Sequence, residues 1–304
     1  MNTRSPGITA WSTPMTDRPA FNPAAFGSGK VAVEEKPFVR DTTAFDPAAI
    51  TARFEAKQQQ IINLRTAPLG PVRAWSMSRL FDFENCPHAV YLSKVENMPS
   101  PSGPAAERGT AIHNHIEGYI QGEHAEVIKE MAGFRPLIDL LRDEFAAARV
   151  EVEGDWAFDR TWNTTAWAAK DAWARFKLDA IHFQSETSAK VIDWKTGKKF
   201  GNELKHNQQG MGYAIAAFAR YPELEFVEVQ FAYLDKFDEL RGSYTRQQAE
   251  LLRPMLEERA DKMTTCTDFE PKPSFHACRW CPHAKVQEGR DEPACKWAHE
   301  QTIH

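Results

Sequence analysis

Residues 176–197 read FKLDAIHFQSETSAKVIDWKTG, and the fold turns on them. Two segments, 176–181 and 191–197, are separated by the polar turn 184–190, which is the pattern of two strands joined in a hairpin. Side chains alternate along a strand, so Asp193 and Lys195 project from one face while Ile192 and Trp194 project from the other. The hairpin brings Asp179 onto the polar face beside them. Two carboxylates and a lysine converging there make a site for a hard divalent cation, because Mg²⁺ or Mn²⁺ prefers carboxylate, carbonyl and water oxygens. An Asp-x-Lys tripeptide alone is more often an exposed ion pair worth about 0–1 kcal/mol. The surrounding pattern therefore decides.

Outward from the hairpin, 150–158 reads as a strand, 204–220 as a helix, 225–234 and 240–245 as further strands, and 246–263 as a helix. Upstream, Ser76 or Ser78 caps a short helix that Pro87 stops, and two more helices run from about Gly109 and over 135–148. This order predicts an α/β fold, a central mixed sheet flanked by helices. Residues 1–45 are rich in Pro, Gly, Ser and Thr without periodicity and read as a disordered or wrapping arm. Asp46 and Pro47 start a helix that, with the Pro-rich stretch after it, fills 46–74; the compact domain occupies 75–304.

Two further pieces complete a set. Arg108-Gly-Thr-Ala-Ile-His113 lies on a helix, and Gln209 and Tyr213 fall four apart on one helical face. Periodicity does not choose between His113 and His115, which flank the apolar stripe about equally. In this order the pieces resemble the RecB-like branch of the PD-(D/E)XK nucleases. The resemblance implies that His113, Asp179, Asp193 and the main-chain carbonyl of Trp194 bind Mg²⁺ or Mn²⁺, and that Lys195 is catalytic. It also implies a carboxylate on the preceding strand, for which Glu153 is preferred over Glu151. Gln209 and Tyr213 would contact the DNA strand, the amide at a phosphate or base edge and the ring by stacking. Lys198, Lys199 and Lys205 would add local positive charge.

Cys278-Arg-Trp-Cys281 is a closely spaced pair, with Cys295 after it and Cys86 far upstream. One cysteine before the core and three after it resembles the iron-sulfur nucleases related to CRISPR-associated adaptation exonucleases and AddB-type recombination nucleases, including phage-encoded members. That resemblance implies a 4Fe-4S cluster whose ligands clamp the N- and C-terminal helical elements together. Four thiolates suit structural Zn²⁺ equally well, with His276, His283 or His299 able to replace one. Cys266 fits neither pattern.

Composition sets the outer bounds. The chain has 304 residues, 42% apolar, and a net charge of −5, so contact with nucleic acid must rest on a local basic groove or on bound cations. No run approaches the roughly 18 apolar residues of a membrane span, and the first residues lack a signal's apolar core, so a cytoplasmic location is expected, the host's if the protein is phage-encoded. The expected activity is a DNA exonuclease of recombination, repair or phage DNA processing, with a helicase or recombinase as a possible partner, since no P-loop is present. A non-catalytic DNA-binding or scaffold protein that kept the fold and cluster is the alternative.

Overall fold

A computed structural model describes residues 47–300 apart from 101, 287 and 288. The expected arm over 1–45 and the expected cap at Asp46 lie outside the described residues. Helix α1 (Pro47–Thr66) leads to α2 (Met77–Asn85), which Ser76 caps by accepting the Arg79 N–H. Pro87 ends α2, as expected, yet it also opens an unexpected helix, α3 (Pro87–Lys94). A ring that cannot continue one helix suits the first turn of the next. Helix α4 (Pro104–Gln121) stops at Gly122 in the left-handed region, φ 81°, and α5 (Arg135–Ala146) follows a 3₁₀ turn.

The strands are β1 (Val150–Phe158), the two-residue β2 (Thr164–Thr165), β3 (Ala174–Ser185) and β4 (Ser188–Lys195). After α6 (Glu203–Arg220) come β5 (Phe226–Tyr233) and β6 (Asp238–Thr245). They form one six-stranded sheet in the order β2-β1-β3-β4-β5-β6. Each neighbouring pair is antiparallel except β4 with β5, which run parallel and so need a crossover, supplied by α6. Helix α7 (Arg246–Thr264) starts on a capping box between Thr245 and Gln248. Beyond it lie a short helix, α8 (Phe275–Cys278), and a 3₁₀ turn at Pro282–Ala284.

Strand alternation divides the core into two layers. On one face Phe176, Val191 and Val229 pack with Ala214, Ile215 and Phe218 of α6 and with Leu256 of α7. On the other, Ala180, Ile192 and Trp194 meet Ile112 and Ile116 of α4 and Ile138 and Leu141 of α5. The mixed sheet flanked by helices is therefore as the periodicity predicts. At the rim of the first layer Asp261 of α7 is 2% exposed and is held by Arg160 Nη2 at 2.8 Å and Arg65 Nη1 at 3.3 Å. No described helix is long and apolar enough to cross a membrane.

Candidate active site

Backbone pairing of β3 with β4 runs from Ser185 opposite Ser188 to Ala180 opposite Ile192 and stops there. One step further Asp179 would face Asp193, so the strands part at the two aspartates. At the same level β1 loses its pairing to β3 between Val152 opposite Ala180 and Gly154 opposite Leu178. The residue in that gap, Glu153, has φ +49°, a left-handed conformation unusual for a residue with a Cβ. Asp179 thus sits where regular bonding lapses on both sides, and its carboxylate turns to other partners. Its Oδ2 accepts the Trp194 backbone N–H at 2.6 Å, and its Oδ1 lies 2.9 Å from His113 Nδ1.

Asp193 is only 4% exposed. Its Oδ2 accepts the Tyr213 hydroxyl at 2.7 Å and the Gln209 amide at 3.3 Å. Lys195 Nζ stands 2.5 Å from Oδ1, yet at an angle that leaves this buried oxygen without a hydrogen bond. Asp193 and Lys195 share a strand face, as alternation predicts. The choice that periodicity left open falls to His113, since His115 turns instead to the Glu126 carbonyl at 3.0 Å. The Trp194 side chain is buried on the opposite face, so only its backbone reaches the site.

Two expected contacts, those of Tyr213 and Lys199, differ from the sequence expectation, and the two glutamates of β1 part company. Tyr213 is 4% exposed, with its ring packed between Phe176 and Phe231, so its ring is not presented for stacking on a base and only its hydroxyl meets the site. Glu153 pairs with Lys177 Nζ at 2.5 Å, while Glu151 accepts the Tyr221 hydroxyl at 2.7 Å; the positive φ at Glu153 separates two residues that simple alternation would place together. Lys198 is exposed, whereas Lys199 Nζ is tied to Asp238 at 2.7 Å and to the Glu239 carbonyl at 3.1 Å.

Residues that the sequence reading missed surround Lys195. Its Nζ lies over the Phe231 ring, 5.4 Å from the centroid. His206 stacks on the same ring at 5.2 Å, and its Nδ1 is 2.5 Å from the Tyr233 hydroxyl. A signal existed, because His206 precedes Gln209 by three on α6, within the same helical turn.

The electrostatics follow from burial. Burial pushes the Asp179 carboxyl above the usual range and the Asp193 charge adds to this, while His113 and the Trp194 N–H act the other way. For His113 burial opposes the charged form, but the hydrogen bond and charge of Asp179 outweigh it and the imidazole rises. The Tyr213 hydroxyl is pushed well up by burial and by the two aspartate charges, so it remains a donor. His206 is pushed down to about 4, by burial first and then by the Lys195 charge.

This donor set fits a divalent cation. Among the described residues no group of three or more His, Cys, Asp or Glu side chains, Cys86, Cys278, Cys281 and Cys295 included, stands ready to enclose a metal ion; the aspartate oxygens face protein donors or Lys195. Yet two buried carboxylates repel each other, one keeps an oxygen without a hydrogen bond, and a cation between them would relieve both strains. A cleft of about 560 Å³ opens over Lys195, Gln209 and Tyr213.

Elsewhere, Cys86, at the junction of α2 and α3, and Cys278, Cys281 and Cys295 line one small cavity of about 20 Å³, walled otherwise by Ala, Pro, Leu and Trp. Burial pushes the Cys281 and Cys295 thiols up, and Cys86 lies near enough to both to add to the shift. Cys266 lies apart and donates to the Asp268 carbonyl at 3.0 Å.

The model of the PD-(D/E)XK nuclease superfamily matches residues 74–286. Among solved structures the chain is similar to a protein from Eubacterium rectale provisionally described as an exonuclease, with 14% identity, 76% of this chain and 92% of that one covered, and a TM-score of 0.42. It is also similar to an alkaline exonuclease from Laribacter hongkongensis, with 12% identity, coverage of 63% and 87%, and a TM-score of 0.32; that enzyme has also been solved with dAMP. No curated protein matches the sequence. With well over half of its length matched by the family model, and with the sheet and flanking helices described above, the chain belongs to the PD-(D/E)XK nuclease superfamily.

Proposed function

We propose that the chain is a divalent-metal-dependent deoxyribonuclease of the RecB-like branch, an exonuclease working on ends or single strands of DNA in recombination, repair or phage DNA processing. The observation that carries this reading is the parting of β3 and β4 at Asp179 and Asp193, with Lys195 Nζ 2.5 Å from the latter. A binding module has no use for two buried, mutually repelling carboxylates and a lysine aimed at one of them.

Asp179, Asp193, His113 and the Trp194 carbonyl would hold Mg²⁺ or Mn²⁺. When bound, such a cation supplies Lewis acidity to the phosphate and lowers the pKa of a coordinated water. Tyr213 and Gln209 fix the Asp193 carboxylate through one oxygen and leave the other toward Lys195. Lys195, over the Phe231 ring, orients the attacking water and donates to the negative charge that grows on the phosphoryl oxygens. Glu153 acts as an accessory carboxylate, and Lys198 draws the strand. Gln209, whose amide nitrogen donates to the Tyr213 hydroxyl and to Asp193, keeps its carbonyl oxygen to accept from an N–H on a base edge of the DNA.

Cys86, Cys278, Cys281 and Cys295 would hold a 4Fe-4S cluster, with Zn²⁺ as the alternative. The sulfur-lined cavity supports this, and closing so long a loop would stabilise the domain over 75–304 by restricting the unfolded chain. Its role is structural. The chain contains no P-loop, so unwinding falls to a helicase or recombinase partner.

The test is digestion of end-labelled single- and double-stranded DNA with Mg²⁺, Mn²⁺ or EDTA. Cutting that requires the metal supports the reading. If well-folded, cluster-loaded protein cuts no DNA under any of these conditions, the chain is a binding or scaffold protein.

A further inference from the structure

The cleft over Lys195 and Tyr213 contains a second feature that the chemistry above leaves unused. Trp75 is bridged to Ala174, and the Arg175 backbone N–H donates to the Trp75 carbonyl at 2.9 Å. This places Arg175 beside the start of α2, where Ser76, Ser78 and Arg79 line the same cleft. Arg79 spends one Nη1 bond on the Ala74 carbonyl, and Arg175 lies over the half-exposed Trp167 ring at 5.4 Å. The Nε atoms of both arginines are buried and have no hydrogen-bond partner.

No described carboxylate forms an ion pair with either guanidinium, although Asp82 lies near Arg79. Its pull on Arg79 is smaller than the repulsion from Arg175, and burial, the largest influence, also holds Arg79 below its ordinary value. The nearby Lys177 is neutralised by Glu153. Two like charges held together at a cost, in a protein whose net charge is −5, call for an anion. A guanidinium presents its N–H groups as a planar fork that matches phosphate oxygens, and two forks with two hydroxyls offer more positive charge than a singly charged diester needs. A terminal phosphomonoester approaches two negative charges at neutral pH.

Resting on the nuclease reading, we propose that Arg79 and Arg175, with Ser76 and Ser78, form a subsite for the terminal phosphate of a DNA end and place that end beside Lys195. The subsite makes the enzyme prefer phosphorylated ends over hydroxyl ends, and Trp167 stacks on a nearby base. A bound end also explains how one cleft can serve exonucleolytic rather than internal cutting.

Fluorescence anisotropy of short single-stranded oligonucleotides, ending in 5′-phosphate, 3′-phosphate or hydroxyl only, tests this in buffer without added divalent metal. Full-length wild-type protein is expected to bind one phosphorylated form about tenfold or more tightly than the hydroxyl form, the effect of one or two charge-assisted hydrogen bonds. Which form wins tells the 5′ from the 3′ end. Arg175→Gln and Arg79→Gln should abolish the preference while leaving hydroxyl-ended DNA bound, and Arg175→Lys should retain part of it. Should a variant fail to fold, inorganic phosphate titrated against wild type must displace the phosphorylated form selectively. No preference in wild type, or a preference untouched by both glutamine variants, overturns the proposal. The same oligonucleotides incubated with Mg²⁺ separate the two claims: end preference without cutting removes only the nuclease reading, and cutting without end preference removes only the subsite.

Discussion

The Tyr213 hydroxyl donates to Asp193 Oδ2 at 2.7 Å from a ring that is almost wholly enclosed. A tyrosine on a Gln-x-x-x-Tyr helix thus serves the carboxylate rather than a nucleobase. Removing the hydroxyl leaves Asp193 Oδ2 with only the longer Gln209 contact of 3.3 Å. Tyr213→Phe should lower the cleavage rate about tenfold or more and weaken Mn²⁺ binding, with a stability loss of roughly 1–3 kcal/mol for the undersatisfied acceptor. Single-turnover rates and metal titration check this. A variant with unchanged rate and metal affinity would show that Tyr213 only packs.

Asp261 links α7 to Arg160 and Arg65 while nearly inaccessible to water. Asp261→Ala leaves the Arg160 guanidinium without its carboxylate in a mostly buried place, so urea unfolding should show a loss of about 3–5 kcal/mol. Cleavage by the folded fraction should persist, because this ion cluster stands apart from the aspartates of the cleft.

His206, pushed down to about 4 by burial and then by Lys195, stays neutral in the folded chain where an unfolded chain would take up a proton. Between about 6.5 and about 4 the unfolded state therefore binds more protons. Stability contributed by neutral His206 is present above this window and is lost as pH falls through it. In His206→Gln the urea midpoint should drop less steeply over the same range. Equal slopes for variant and wild type would assign the acid sensitivity to other groups.

Cys86 is the one cysteine of the cavity that comes from before the sheet. If the four thiols hold the proposed cluster or Zn²⁺, Cys86→Ala should release it and lower the melting temperature by about 10 °C, which corresponds to several kcal/mol at this chain length. Metal analysis of purified protein identifies iron with sulfide or zinc. Protein that carries neither, with Cys86→Ala as stable as wild type, would reduce the four thiols to core residues.

Much of the site was legible because it is local. Alternation in 176–197 put Asp193 and Lys195 on one face, and four-residue spacing put Gln209 and Tyr213 on another. What helical spacing does not tell is which way a shared face points, so the burial of Tyr213 came only with the packing of α6 on Phe176 and Phe231. Periodicity alone does not separate His113 from His115; the resemblance names His113, and its contact with Asp179 on β3 is a long-range one. Alternation alone puts Glu151 and Glu153 on one face and does not show that a single positive φ at Glu153 separates them, with Glu153 at the gap opposite Asp179. Helix α3 was missed because Pro87 was read as a stop when it is also a start. The Arg79–Arg175 neighbourhood depends on the bridge between Trp75 and Ala174, residues nearly a hundred positions apart, and no local pattern records it.

The most direct test of the account compares single-turnover cleavage of end-labelled DNA by wild type and by Lys195→Ala in Mg²⁺, with DNA binding measured in parallel. A catalytic Lys195 requires the variant's rate to fall by about 10²–10⁴-fold, the range for loss of a positioned proton-handling or charge-stabilising group, with folding and binding largely retained. Cleavage by Lys195→Ala at the wild-type rate would contradict it.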